Sequence, residues 1–183
     1  MRLQLLSDLH LETESFEPLP LPGAELLVLG GDIDATWAQL DRFADWPVPV
    51  LMVAGNHEFD GRDLVAAWDG LRARCAALGI RLIERERWVT TSASGRRVRF
   101  VGTVRWSDFD GLGSPQRERA MRAAGYFLRL MGATRHGVPI DADIMREMMA
   151  GTVQLGMSTI QGAITFIGSG KVRALTVTNT RRQ

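Results

Sequence analysis

Among 183 residues the chain has one cysteine, one lysine, one tyrosine and three histidines. A lone Cys75 excludes an internal disulfide and fits a reducing compartment. No apolar run approaches the ~18–20 residues of a membrane span. The apolar start, Met1 to Leu6, is too short for a secretion signal and lacks a small-residue cleavage site. A cytoplasmic protein with no membrane partner is therefore expected. The formal net charge of +1 argues against a nucleic-acid partner held by bulk electrostatics. Apolar residues make up 45% of the chain, enough for a packed core and too many for global disorder.

Charge is unevenly spread. Residues 1–150 hold 18 basic and 21 acidic residues, whereas 151–183 hold four basic residues and no acidic one. The single lysine, Lys171, is in that C-terminal stretch, which also lacks Pro and Trp. A break this abrupt implies two segments of different origin, 1–148 and an appended tail, 149–183.

The first part alternates strand and helix patterns. Leu3-Gln4-Leu5-Leu6, Leu26-Leu27-Val28-Leu29 and Val50-Leu51-Met52-Val53-Ala54 are near-continuous apolar runs, the mark of strands buried on both faces. Thr36 is placed to cap a helix carrying Trp37, Leu40 and Phe43. A longer helix from near Gly61 puts Leu64, Trp68, Leu71, Cys75 and Leu78 on one stripe and stops at Gly79. On that stripe Cys75 reads as a small buried hydrophobe rather than a reactive thiol. Ile80–Ile83 reads as a strand, and 88–91 and 98–101 flank Ser92-Ala93-Ser94-Gly95 as a hairpin. Ser114-Pro115 opens a helix to about Leu130, and Asp141 caps another to about Met149. Alternation of this kind defines an α/β fold with a mostly parallel sheet at its start.

Each of the first three strands ends in polar residues: Ser7-Asp8-Leu9-His10, Gly30-Gly31-Asp32 and Gly55-Asn56-His57-Glu58. The C-terminal edge of a parallel sheet is where ligands bind. On an extended chain Asp8 and His10, two apart, would point to the same side. A carboxylate beside an imidazole is half a site for Mn, Fe, Zn or a similar divalent ion. Asp32 can add a carboxylate, Asn56 an amide oxygen and His57 an imidazole. Singly, each has a plainer reading as a turn former or surface histidine; three strand ends in this order point to a metal site.

These three motifs resemble the first three of the calcineurin-like metallophosphoesterases, over roughly residues 1–148. Trp106-Ser107-Asp108 is similar to a loop of bacterial members. The resemblance implies a layered α-β-β-α sandwich that is incomplete in this chain. It implies hydrolysis of a phosphorylated small molecule or phosphodiester by a metal-activated hydroxide, with two divalent ions. Asp8 and His10 would hold the first ion, Asp32 would bridge, and Asn56 would hold the second. His57 would bind no metal and would stabilise the transition state or protonate the leaving group. No Gly-x-Ser-x-Gly elbow supplies a competing nucleophile.

The family also uses three later histidines, two of them in a Gly-His-x-His motif. After His57 this chain has only His136, in a loop pattern that suits a solvated residue. The second ion would keep Asp32 and Asn56 alone, which implies weak binding and impaired catalysis. The alternative is a non-catalytic remnant holding one metal weakly or none. The stretch from Met149 to Thr178 resembles an internal segment of periplasmic tricarboxylate-binding receptors, through Ser169-Gly170-Lys171-Val172-Arg173-Ala174-Leu175. A truncation or fusion near residue 148 would account for both the tail and the missing ligands. Binding of small acids by the tail is a third reading. Gly168-Ser169-Gly170-Lys171 is no P-loop, because Thr165 and Val172 stand at required Gly and Ser/Thr positions. Half a sandwich would expose sheet edges, so self-association is expected.

Overall fold

In the computed structural model, residues 1–109 and 113–149 are described below; the tail readings from residue 150 onward lie outside them. Four strands form a parallel sheet in the order β1 (Leu3–Leu6), β2 (Leu26–Leu29), β3 (Val50–Met52) and β4 (Ile80–Leu82). The expected α/β fold with a parallel sheet is thus what the chain forms. Leu27, Leu29, Val50, Met52, Ile80 and Leu82 point to one face, where they pack with helices α1 (Leu64–Ala77), α2 (Ser114–Met131) and α3 (Ala142–Met149). Leu26, Val28 and Leu51 point to the other face and meet Trp88 and Phe100. Those two rings stack at 5.6 Å across the hairpin of β5 (Glu86–Thr91) and β6 (Arg97–Gly102). A Cβ on Gly102 would come within 2.6 Å of Val53 Cγ1, so the hairpin seats against the sheet as closely as a backbone allows. The layers are therefore helices, parallel sheet and two-stranded sheet. Val89 and Val101 point outward from the hairpin and are exposed.

The central strands β2 and β3 are buried on both faces, as continuous apolar runs predict. The edge strand β1 is not. Leu3 and Leu5 share the hairpin-side face with Leu26 and Val28 by register, yet are 45% and 57% exposed. The hairpin lies over β2–β4 and stops short of Leu3 and Leu5. Gln4, facing the other way, is buried, and its amide bonds the Leu19 carbonyl at 2.9 Å and the Leu21 N–H at 3.0 Å.

Helix starts are displaced by a few residues from the sequence reading. Residues 38–43 form a 3-10 helix after Trp37, which is left-handed at φ 67°. Thr36 Oγ1 accepts from Ala38 N at 3.2 Å as expected, and buried Asp34 takes the neighbouring donors, Thr36 N and Gln39 N. Helix α1 starts at Leu64, because Asp63 is its N-cap and accepts from Val65 N at 3.1 Å. For α2 the N-cap is Gly113, one residue before Ser114. The expected ends hold: Gly79 closes α1 at φ 70°, and Asp141 accepts from Ile144 N at 2.8 Å at the start of α3.

Candidate metal centre

The loops after β1 and β2 are laced together by main-chain bonds: Asp8 N to Gly31 O, 3.0 Å; His10 N to Asp32 O, 3.1 Å; Leu11 N to Ile33 O, 2.9 Å. This lacing corrects the sequence argument for Asp8 and His10. Neither is extended; both are left-handed, at φ 54° and 46°, as is Asp32 at 52°. Such backbone is costly for most residues and tolerated best by Asp, Asn and His. Three neighbouring loop residues in this conformation mark a place where the surrounding bonds dictate side-chain direction. Gly31, at φ 93°, lets this loop meet the next: a Cβ there would lie 2.6 Å from Gly55 N.

The result is a cluster. One donor atom each from Asp8, His10 and Asp32 lies within 4.8 Å of the others. Asp8 is exposed, while His10 and Asp32 are half-buried. Ser7 Oγ donates to Asp8 Oδ2. Two carboxylates and an imidazole at this separation fit one divalent ion with open positions, and the donor types suit Mn, Fe or Zn.

The loop after β3 brings Asn56 and His57. The His57 ring meets the His10 ring edge-on, centroids 4.9 Å apart, and His57 N donates to Asp32 Oδ1 at 2.9 Å. Asn56 caps a short 3-10 turn over His57–Phe59, with its amide nitrogen 3.8 Å from Met131 Sδ. His136 lies apart, exposed in the turn between β7 (Thr134–Arg135) and β8 (Val138–Pro139).

Three acidic residues organise the site without having been assigned a role from sequence. Glu58 is fully buried and accepts from Asp32 N at 3.0 Å, Ile33 N at 2.7 Å and Gly55 N at 2.6 Å. It ties the second loop to the third. Burial raises its carboxyl above the usual range despite those three bonds. Asp60 Oδ2 lies 2.8 Å from His57 Nδ1. Burial pulls His57 down, but the Asp60 bond and charge, with Asp32 and Glu12, outweigh it and hold the imidazole above its ordinary value. Glu12 Oε1 lies 3.1 Å from His10 Nδ1, and Oε2 accepts from Ala35 N at 3.0 Å. Burial works against the Glu12 carboxylate, yet these bonds leave it below the usual range. The spacing of His10 to Glu12 and of His57 to Asp60 was visible in the sequence. Which carboxylate meets which ring was not.

Trp106, from the Trp-Ser-Asp loop, is buried with its ring 6.1 Å from Phe59, which also meets Trp68 at 4.9 Å. This cluster of tilted rings backs the turn that carries His57.

A three-layer α/β fold with a cluster of potential metal donors at the C-terminal ends of its first strands is the class of protein described so far. No family model matches the chain, and no curated protein matches it. Among solved structures it is similar to the crystal structure of a phosphopantetheinyl hydrolase from Mycobacterium tuberculosis, with a TM-score of 0.54 at 18% identity. The match covers 93% of this chain and 61% of that one, so the chain spans less than two thirds of the solved protein. At this identity the likeness is one of fold.

Proposed function

We propose that the protein is a metal-dependent phosphoester hydrolase, and the Asp8–His10–Asp32 cluster is the observation that carries the reading. Asp8, His10 and Asp32 would hold one ion, and Asp32 with Asn56 would contribute to a second. Divalent ions held there would draw charge from a phosphoryl group and lower the pKa of water, which makes a nucleophile available near neutral pH. The residues themselves do the rest. His57, fixed through Nδ1 by Asp60, presents its other nitrogen to a leaving oxygen or to developing charge. Glu58 holds the Asp32 and Gly55 backbones so that the donors need not reorganise. The fold shared with a phosphopantetheinyl hydrolase supports this reading and puts a phosphopantetheinyl compound on the substrate panel, beside phosphomonoesters and phosphodiesters.

The second ion has the fewer ligands, so the hydrolase is read as impaired, with 1–148 as the N-terminal part of the catalytic domain and 149–183 as a segment of different origin. The competing reading is a remnant that binds one metal weakly or none. It is favoured by the sequence, which offers no Gly-His-x-His motif. Among the described residues no helix is long and apolar enough to cross a membrane.

Hydrolysis of an aryl phosphodiester with Mn²⁺, comparing wild type with Asp32→Asn, separates the two. A wild-type rate well above that of the variant is expected. Equal rates, or none in either, overturn the hydrolase reading for this chain. Metal content supplies a second readout: more than one equivalent per chain would sink the remnant reading.

A further inference from the structure

The ring of His10 can offer a cation only one nitrogen at a time, and its environment selects which. Nδ1 faces Glu12 Oε1 at 3.1 Å, while Glu12 Oε2 takes the Ala35 N–H at 3.0 Å. A carboxylate can only accept. Facing it, Nδ1 must carry a proton, so in the neutral ring Nε2 is left with its lone pair. We propose that Glu12 is a positioning residue: it fixes His10 in the Nδ1–H tautomer, leaves Nε2 as the metal donor, and ties that ring to the loop bearing Asp32. The inference rests on the metal-site reading above for its consequence, though not for its geometry.

Three features support this assignment over an incidental surface pair. The Glu12 side chain is 17% accessible, against 32% for His10, so neither swings freely in water. Glu12 spans two chain segments, since Ala35 lies three residues beyond Asp32. The backbone on either side is pinned, because His10 N donates to Asp32 O at 3.1 Å and Thr13 N and Glu14 N both donate to His10 O. A ligating imidazole whose second nitrogen bonds a carboxylate is a general device for orienting the ring and raising its basicity.

Replacing Glu12 by Gln makes a specific prediction. The Ala35 N–H requires an oxygen, so the amide group would turn its NH₂ toward His10 Nδ1. That nitrogen would become an acceptor and the proton would move to Nε2, the position a cation needs. Long-range ¹H–¹⁵N spectra of the metal-free protein, with three histidines to assign, read the tautomer directly. Wild type is expected to show Nδ1–H at His10, and Glu12→Gln is expected to show Nε2–H. Mn²⁺ affinity, measured by titration, should weaken by about 10–100-fold in Glu12→Gln. In a His10→Asn background the same substitution should cost little further. Wild-type His10 protonated on Nε2, or equal Mn²⁺ losses from Glu12→Gln with and without His10, would overturn the proposal. Should Glu12→Gln fail to fold, Glu12→Ala and the wild-type spectrum carry the test. A wild type that shows the Nδ1–H tautomer but binds no Mn²⁺ supports Glu12's hold on the ring and overturns the hydrolase reading instead.

Discussion

Glu58 offers a sharp test of how the site is held, because one side chain serves three backbone donors on two loops. The substitution to make is Glu58→Gln, which keeps the shape and removes the charge. The carboxylate accepts from Asp32 N, Ile33 N and Gly55 N. A glutamine has one oxygen. Turned toward the Asp32 and Gly55 pair, it leaves its own NH₂ facing the Ile33 N–H. A charge-assisted hydrogen bond contributes about 1.5–3 kcal/mol and a neutral one about 0.5–1.5, so two weakened bonds cost about 2 kcal/mol. The stranded Ile33 N–H adds about 1–3 kcal/mol. Against this stands desolvation: burial already raises the Glu58 carboxyl, so neutralising it recovers part of the loss. The net expectation is a loss of about 2 kcal/mol. For a chain of this size that lowers Tm by about 4–8 °C. Urea unfolding of the metal-free protein, followed by fluorescence of its five tryptophans, measures it at constant m-value. A loss below about 0.5 kcal/mol, or a gain, would mean that the three N–H groups find other acceptors and that Glu58 does not brace the site.

Two further outcomes follow from burial. Cys75 is 1% exposed, and burial, with a smaller contribution from the Glu58 charge, pushes its thiol up to about 12. The folded thiol thus keeps its proton where the unfolded one loses it, so this contribution to stability is intact below pH 9 and lost as pH rises toward 12. Urea titrations at pH 8.5 and 10.5 should show wild type losing up to about 1.4 kcal/mol per pH unit more than Cys75→Ala, and a thiol reagent at pH 8 should label wild type only on unfolding. Rapid labelling of the folded protein would refute the buried-hydrophobe reading of Cys75. On the sheet edge, Leu5 is 57% exposed beside the buried Val28, so Leu5→Lys should reduce concentration-dependent self-association in sedimentation while leaving Tm within about 1 °C. An unchanged sedimentation profile would acquit this edge.

The strands and the polar residues gathered at their ends were legible for one shared reason. A parallel strand buried on both faces must be apolar until the chain leaves the sheet, so the first polar residues after each run mark the sheet's C-terminal edge. Leu26–Leu29 and Val50–Met52 obey this rule, and Asp32, Asn56 and His57 follow from it. The rule misleads at β1, where Leu3 and Leu5 belong to an apolar run but lie beyond the reach of the β5–β6 hairpin. Layer width is a property of the whole sheet, and no local pattern encodes it. Helix starts were misplaced for a related reason. Thr36 still accepts from Ala38 N, but Trp37 stands at the N-cap and Asp34 takes the donors on either side, and Gly113 rather than Ser114 is the N-cap of α2.

The error over Asp8 and His10 is the most instructive, because the two side chains do converge, though not for the reason their spacing suggested. Two residues apart on a strand do share a side, yet these two lie past the end of β1 in left-handed backbone. Their convergence comes from the main-chain bonds to Gly31 and Asp32 and from the carboxylates behind them. Those carboxylates follow a pattern. Glu12 meets His10 within the first loop and reaches the Asp32 loop through Ala35 N, Asp60 meets His57 within its own turn, and Glu58 locks the second loop to the third. Each acts on a group beside it in sequence, but Glu12 and Glu58 also reach a loop more than twenty residues away. A residue-type motif can therefore point to a cluster of potential donors. Whether such donors are held in place depends on acids whose partners only the folded chain reveals, and here Glu12, Glu58 and Asp60 have theirs.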